Sequence, residues 1–250
     1  DVSQHANQCI ISISHQGYST TSQYYGNSRL SSYLGSYLHG FECAEVDIAW
    51  SSDGVPVCCH DATFTDTHDN STVITIANHT VDELKTYGYY GETIATLDEV
   101  VSTCKTYGLK LELDKVSSAW TDTQWQRVFD IVTKYQMQEF IIWTSPNTTC
   151  ATKILTYDKW ATIMINANAN TMSSNITLAK SIATDYNKII IACNYTGLSV
   201  ANLITYNAQI PERNIGIGIW TVDDEETYLK YLPYSVCITS NKLCAKDVMP

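Results

Sequence analysis

The feature that most constrains the fold is a regular alternation of strand-like and helix-like segments. Short runs rich in Ile, Val, Leu and Cys are separated by longer stretches in which apolar residues recur at helical spacing. Strands that alternate with helices pair in parallel, because each helix returns the chain to the starting edge of the sheet. The sequence predicts eight strands, at residues 9–14, 43–49, 109–113, 139–143, 161–166, 188–193, 215–220 and 235–239.

Helical periodicity fills most of the intervals between these strands. Eight parallel strands in a chain of 250 residues predict an α/β protein with one closed (β/α)8 TIM barrel. An open doubly wound sheet is the alternative, but no glycine-rich phosphate-binding turn follows the first strand. We assign residues 9–250 to the barrel and the polar residues 1–8 to an N-terminal tail or linker. The predicted helices span 27–39, 80–87, 96–107, 122–136, 147–157, 173–185, 198–209 and 223–231.

The second strand continues into a unit that carries several chemically active side chains. Glu45 and Asp47 are two residues apart, so their carboxylates face the same side of a strand. Asp53-Gly54 predicts a tight turn, and the returning segment ends at His60. We therefore expect a small hairpin extension after the second strand. A solvated acidic face is the simpler interpretation, but apolar residues flank both acids and favour a strand that is buried on both faces.

Composition and charge restrict the possible partners. The net charge of −11 argues against nucleic acid and against an anionic membrane surface as a partner. No apolar run is long enough for a membrane span, so none is predicted. No secretory signal peptide is recognised at the start, as expected for a mature or trimmed chain. The sequence also indicates no obligate protein partner.

The nine cysteines leave the cellular location open. Most lie singly within apolar runs and no Cys-x-x-Cys pair occurs, so the pattern favours buried, reduced thiols over a zinc site. The abundance of Ser, Thr, Asn and Tyr is instead typical of secreted proteins, and a secreted or cell-surface location is slightly favoured. Asn-x-Ser/Thr sequons occur at Asn70, Asn78, Asn147, Asn175 and Asn194.

In a TIM barrel the functional side chains lie at the C-terminal ends of the strands. Three carboxylates that converge there predict one divalent cation, Mg²⁺ or Ca²⁺, because these cations prefer oxygen ligands. Two histidines beside the cation could act as general base and general acid, and this combination fits phosphoryl transfer. The residues selected by their positions at strand ends or on the hairpin are His15, Glu45, Asp47, His60, Glu112 and Trp220.

Short motifs also occur in a fixed order along the chain: His15-Gln16-Gly17, Asn27-Ser28, Glu45-Val46-Asp47, Asp53-Gly54, His60-Asp61, Glu112, Trp220-Thr221-Val222-Asp223 and Ile238-Thr239-Ser240-Asn241. This order resembles that of the glycerophosphodiester phosphodiesterases. The resemblance implies a TIM barrel that hydrolyses glycerophosphodiesters, as small-molecule substrates, to glycerol 3-phosphate and an alcohol. It implies a divalent cation on Glu45, Asp47 and Glu112, and acid–base catalysis by His15 and His60.

The chain departs from the family pattern at three positions. Gln16 stands where the family has Arg, Gly26 where it has Glu, and Asp114 where it has Lys. Because Arg and Lys normally bind the phosphate, these changes predict weaker phosphate binding, another substrate or a degenerate enzyme. Asp114 shares the strand face of Glu112 and could be an additional metal ligand. Lys115 could replace the lost cation if a strand end or bulge turns it inward.

Two functions therefore remain open at the level of sequence. The first is an active metal-dependent phosphodiesterase with Gln16, Lys115 and Trp220 contacting the substrate. The second is a catalytically weakened barrel that binds glycerol-phosphate groups at a cell surface. We also expect Trp143 and Asn166 to line the pocket, since both lie near predicted strand ends. The remaining histidines are predicted to be surface residues: His5, His39, His68 and His79.

Overall fold

A closed barrel of parallel strands forms the centre of the computed structural model, which describes residues 10–18, 26–212 and 214–249. The strands in these residues are β1 (Ile11–Ser14), β2 (Cys43–Trp50), β3 (Pro56–Cys58), β4 (Thr63–Thr65), β5 (Val73–Thr75), β6 (Lys110–Asp114), β7 (Ile141–Thr144), β8 (Thr162–Ala167), β9 (Lys188–Asn194), β10 (Ile215–Trp220) and β11 (Cys237–Ser240). Strands β2 and β6 to β11 follow one another around the barrel, and β1 pairs in parallel with both β11 and β2. This closure confirms the predicted TIM barrel and excludes the open sheet.

Helices separate the barrel strands and cover their outer surface. Thr96 begins one helix and Thr121 another, each with a reciprocal capping box that satisfies free backbone N–H groups of the first turn. In the described residues the helices are α1 (Leu30–His39), α2 (Val81–Leu84), α3 (Leu97–Tyr107), α4 (Asp122–Lys134), α5 (Thr148–Tyr157), α6 (Met172–Ile182), α7 (Val200–Ala208), α8 (Glu225–Tyr231) and α9 (Ala245–Val248). None of them is both long and apolar enough to cross a membrane.

Two layers of apolar side chains stabilise the barrel. The larger layer lies between the strands and the helices. The smaller one fills the barrel interior and includes Ile13, Cys43, Ile142 and Met164. Because side chains alternate along each strand, the polar residues that follow these positions on the same face lie at the C-terminal end of the barrel. The interior packing thus forms an apolar floor beneath the predicted site.

The predicted hairpin after the second strand is present and belongs to a larger extension. Strand β3 pairs antiparallel with β2, in the register Ile48 to Cys58. Residues 61–80, for which no strand is predicted from the sequence, contain a second antiparallel pair, β4 with β5. The extension has its own apolar cluster, which includes Val57, Phe64 and Leu84. This cluster anchors the segment that carries His60.

The first helix begins later than predicted, and the predicted N-terminal tail lies outside the described residues. Helix α1 begins after Arg29 rather than at 27, because Asn27 and Ser28 both adopt a left-handed conformation, with φ of 52° and 54°. Residues 1–8 and Cys9 lie outside the described residues, so the predicted tail stays a prediction. The eight cysteines in the described residues are buried free thiols.

Candidate active site

Four carboxylates form the centre of the site, on two neighbouring strands. Parallel pairing of β2 with β6 sets Glu45 opposite Glu112 and Asp47 opposite Asp114. Glu45, Asp47 and Glu112 are buried, with exposed fractions of 4%, 1% and 5%. Such a concentration of buried acids is costly unless protons or cations neutralise it.

The protonation behaviour of these acids reflects their burial and their proximity to one another. Burial, followed by the charges of Asp47, Glu112 and Asp114, raises the pKa of Glu45 well above its usual range. Burial and the charges of Asp114 and Asp47 raise the pKa of Glu112 to about 8, against a hydrogen bond from Thr144 that lowers it. The site therefore resists ionisation when nothing else balances its charge.

Asp47 lies closest to the basic groups of the site. Burial and Asp114 raise its pKa, whereas the neighbouring His60, Lys115 and His15 lower it. Lys115 Nζ lies 4.0 Å from Asp47 Oδ1, at the outer limit of an ion pair. These effects show that both predicted catalytic histidines and Lys115 lie around the same carboxylate.

Several carboxylate oxygens in this cluster have no hydrogen-bond donor among the described residues. Both oxygens of Asp47 and Oε2 of Glu112 are buried without a partner. The ligand atoms of Glu45, Asp47 and Asp114 lie within 4.8 Å of one another, and Glu112 is outside that group. Asp47 is the one residue that belongs to both sets. Carboxylate oxygens that converge in this way are the donors that a hard divalent cation prefers. Asp114, the additional ligand considered from the sequence, therefore fits a cation at least as well as Glu112.

Glu45 and Glu112 are each oriented by one hydrogen bond. The backbone N–H of Gln16 donates to Glu45 Oε2 at 2.7 Å. The hydroxyl of Thr144, at the end of β7, donates to Glu112 Oε1 at 3.0 Å. Thr144 was not predicted as a site residue, and only its place at a strand end could have indicated it.

His15 follows β1 directly and is held by residues near the C-terminus. Its Nδ1 lies 2.9 Å from Asn241 Oδ1. The side-chain amide of Asn241 donates to Asp223 Oδ2 at 2.7 Å, and its backbone N–H donates to Asp223 Oδ1 at 2.8 Å. The amide nitrogen of Asn241 donates to Asp223, so the amide oxygen of Asn241 faces His15. Because this oxygen can only accept a hydrogen bond, the proton of His15 lies on Nδ1. The lone pair of His15 Nε2 is then available to accept a proton.

His60 lies on the extension beside a carboxylate and an ammonium group. Its Nδ1 lies 2.8 Å from Asp61 Oδ1, and its Nε2 lies 3.3 Å from Lys115 Nζ. An ionised carboxylate can only accept a hydrogen bond, so Nδ1 of His60 carries a proton. His60 is half exposed, and its ring is therefore accessible to a ligand above the carboxylates.

Lys115 enters the site because the chain turns sharply after β6. Lys115 has a φ of +61°, in the left-handed region, immediately after the last strand residue Asp114. Strict alternation would point its side chain away from Asp114, and the left-handed turn instead brings Nζ next to His60 and Asp47. The ammonium group of Lys115 therefore lies in the site, although Asp114 stands where the family has Lys.

The loop after His15 is packed too tightly for the family's glutamate at position 26. A Cβ atom on Gly26 would lie 2.0 Å from the carbonyl oxygen of Gln16. The backbone N–H of Ser28 also donates to this carbonyl, at 2.9 Å. Gln16 lines a small cavity of about 80 Å³ next to His60. Gln16 therefore borders the site, and Gly26 permits the close approach of the two loop segments.

Trp220 ends β10 and lies over the apolar interior of the barrel. It packs against the interior cluster, and its indole N–H donates to the carbonyl of Ala192 at 2.9 Å. Trp220 also borders a wide groove at the C-terminal ends of β8, β9 and β10. We call it the Asn-rich groove; its lining includes Asn166, Thr171, Ser174, Asn175, Asn194 and Trp220.

The prediction that Trp143 lines the pocket is wrong, whereas Asn166 does line the Asn-rich groove. Trp143 is 1% exposed and stacks on Phe129 of α4, with ring centroids 4.4 Å apart. Its neighbour Thr144 faces the barrel interior, so alternation turns Trp143 towards the helices. Of the other histidines, His68 is exposed and His39 and His79 are half-buried, away from the carboxylates; His5 lies outside the described residues.

Comparison with known proteins gives a consistent result. Residues 15–240 match the model of the glycerophosphoryl diester phosphodiesterase family. No curated protein sequence matches the chain significantly.

Similar solved structures share the fold at low sequence identity. An Oleispira antarctica phosphodiesterase in complex with the product sn-glycerol-3-phosphate has a TM-score of 0.74 at 20% identity, with 92% of each chain covered. A glycerophosphodiester phosphodiesterase from Parabacteroides distasonis has a TM-score of 0.71 at 16% identity, covering 93% of this chain and 92% of that one. One from Thermotoga maritima has a TM-score of 0.69 at 19% identity, covering 94% and 95%.

Proposed function

Because the chain belongs to the glycerophosphoryl diester phosphodiesterase family, we propose that it hydrolyses glycerophosphodiesters with a divalent cation and two histidines. Its membership confirms the assignment as a glycerophosphodiester phosphodiesterase, a hydrolase with a TIM barrel. The proposed products are glycerol 3-phosphate and an alcohol.

The observation that carries this proposal is the cluster of buried carboxylates with unpaired oxygens. Glu45 and Asp47 would hold the cation, together with Asp114, Glu112 or both. Mg²⁺ and Ca²⁺ both suit such an oxygen-only donor set. When bound, the cation would neutralise charge on the phosphate and on these acids.

His15 is suited to accept a proton at Nε2. The chain from Asp223 through Asn241 to His15 Nδ1 fixes both the tautomer and the ring orientation. A water that attacks phosphorus could therefore transfer a proton to His15 Nε2. His15 is the proposed general base.

His60 is suited to donate a proton to the alcohol that leaves. Asp61 accepts a hydrogen bond from Nδ1 and orients the ring, while Lys115 Nζ lies next to Nε2. A phosphate in the site would attract the ammonium of Lys115 by a charge-assisted hydrogen bond. His60 Nε2 would then face the phosphate, and His60 is the proposed general acid.

The alternative of a non-catalytic binding module is not favoured. It rested on the replacement of two phosphate-binding cations by Gln16 and Asp114. Lys115 reaches the site by another route, and both histidines have partners suited to proton transfer.

Turnover on defined substrates tests the proposed function. Release of glycerol 3-phosphate from glycerophosphocholine, glycerophosphoinositol and glycerophosphoglycerol should require Mg²⁺ or Ca²⁺ and stop when EDTA is added. Protein that is folded by circular dichroism but releases no product from any of these diesters with either cation would refute the proposal. Product release that EDTA leaves unchanged would refute the role of the cation.

We also propose a secreted or cell-surface location, on the basis of the polar, lysine-poor composition. Fractionation of the source cells with an antibody against the protein would test it.

A further inference from the structure

The Asn-rich groove lies on the same face of the barrel as the carboxylates. Its volume is about 760 Å³, within the range of roughly 300–1,000 Å³ typical of small-molecule sites. Asn166 lies on β8, two residues after the interior residue Met164, and Asn194 ends β9 opposite Trp220 in the register of β9 with β10. These three strands form the part of the barrel across from β2.

The strand order links the groove to the site on both sides. On one side, Thr144 of β7 bonds to Glu112 and is paired in register with Met164 of β8. On the other side, β10 pairs with β11, which leads to Asn241 and its contact with His15. A diester with its phosphate at the carboxylates can therefore extend one of its two ester groups into the groove.

The chemistry of the groove is neutral and rich in hydrogen-bonding groups. Its described lining consists of four Asn, two Thr, one Ser, one Ala and one Trp, without a charged side chain. The side chain of Asn166 is exposed and makes no hydrogen bond to the described residues. Asn175 uses its Nδ2 to donate to the Asn166 carbonyl, and Asn194 uses its Oδ1 to accept from the Thr196 N–H. Each of these two amides keeps its other polar atom for a ligand.

We propose that the Asn-rich groove binds the alcohol half of the substrate and that this alcohol is a neutral polyol, such as inositol or a second glycerol. The inference rests on the proposed function for the position of the phosphate. Amide groups can donate to one hydroxyl and accept from its neighbour, so several of them suit a polyol. The partly exposed ring of Trp220 supplies an apolar surface for the C–H groups of the polyol.

A choline or ethanolamine group would fit this groove less well. Recognition of a quaternary ammonium commonly uses a cage of several aromatic rings. Trp220 is the one aromatic residue in the described lining, and no carboxylate accompanies it. The amides would lose hydrogen bonds to water on binding choline and gain none in return.

The test compares glycerophosphoinositol with glycerophosphocholine, using wild-type protein and two variants of Asn166. For wild-type protein we expect kcat/KM to be at least about tenfold higher for glycerophosphoinositol than for glycerophosphocholine. This is the effect of two neutral hydrogen bonds. Asn166→Ala should lower kcat/KM for glycerophosphoinositol about two- to tenfold and lower that for glycerophosphocholine less, because choline cannot form a hydrogen bond with the amide. Asn166→Asp adds a negative charge and should move the preference towards choline. Asn170→Ala, another exposed asparagine without a side-chain hydrogen bond, serves as control.

Calorimetric binding of the same two diesters to the inactive His15→Ala protein separates this inference from the proposed function. The groove assignment is supported if the inositol diester binds more tightly than the choline diester and if Asn166→Ala weakens that binding. This conclusion holds even if wild-type protein hydrolyses neither compound. Equal or tighter binding of the choline diester would overturn it, even if both are hydrolysed. An Asn166→Ala effect of the same size on both ligands would also overturn it, since it would indicate general disturbance of the barrel.

Discussion

Replacement of Glu112 by Gln should stabilise the metal-free protein and weaken its enzymatic activity. Glu112 is buried beside Asp114 and Asp47, and its Oε2 has no donor among the described residues. Gln has nearly the same shape, and its amide oxygen can still accept the hydrogen bond from Thr144. Its amide nitrogen would donate towards the carboxylates instead of repelling them. The variant therefore removes one buried charge at little cost in packing.

The size and pH range of this effect follow from the pKa of Glu112. Its pKa is about 8 in the folded protein against a usual value of 4.5, so the unfolded chain releases the proton at lower pH. The folded state consequently loses stability as the pH rises from about 4.5 to about 8. A difference of 3.5 corresponds to about 5 kcal/mol at most, and relaxation reduces it to about 2–5 kcal/mol.

Urea unfolding in EDTA measures this prediction. The Glu112→Gln variant should exceed wild type in unfolding free energy by about 2–5 kcal/mol at pH 8, and by less than about 1 kcal/mol at pH 5. Glu139→Gln, at an exposed position, should change neither value. Saturating Mg²⁺ or Ca²⁺ should stabilise wild type more than the variant. A variant that is equally or less stable than wild type at pH 8 would refute the reasoning that Glu112 is a costly buried charge.

Further predictions concern the proton-transfer groups and the cations. His15→Ala and His60→Ala should each lower kcat by about 10²–10⁴-fold with an unchanged circular dichroism spectrum, and wild-type kcat would remove that histidine from the mechanism. Lys115→Met should raise KM for a glycerophosphodiester about tenfold or more, because a charge-assisted hydrogen bond is lost. An unchanged KM would show that a group other than Lys115 binds the phosphate. Gln16→Arg should lower KM for a glycerophosphodiester. Addition of Asp114→Lys to this variant should abolish the Mg²⁺ binding that calorimetry measures. Retained Mg²⁺ binding would exclude Asp114 as a ligand.

The sequence by itself determined the architecture and the chemical inventory of the site. Helical and strand periodicities depend on residues a few positions apart, so the alternation of elements was readable without tertiary information. The spacing of Glu45 and Asp47 likewise places both acids on one strand face whatever their neighbours are. The capping box at Thr96 is equally local, because its two residues lie three positions apart in the sequence.

Tertiary structure decided which groups meet within the site. The pairing of Asp47 with Asp114 depends on the register of β2 with β6, and the contact of His15 with Asn241 joins residues 226 positions apart. Lys115 enters the site only through the left-handed turn that follows β6. Such contacts are set by barrel closure and by packing between distant segments, which no local pattern encodes. The sequence therefore determined which acids, bases and cations are available, and the closed barrel decided which of them share a site.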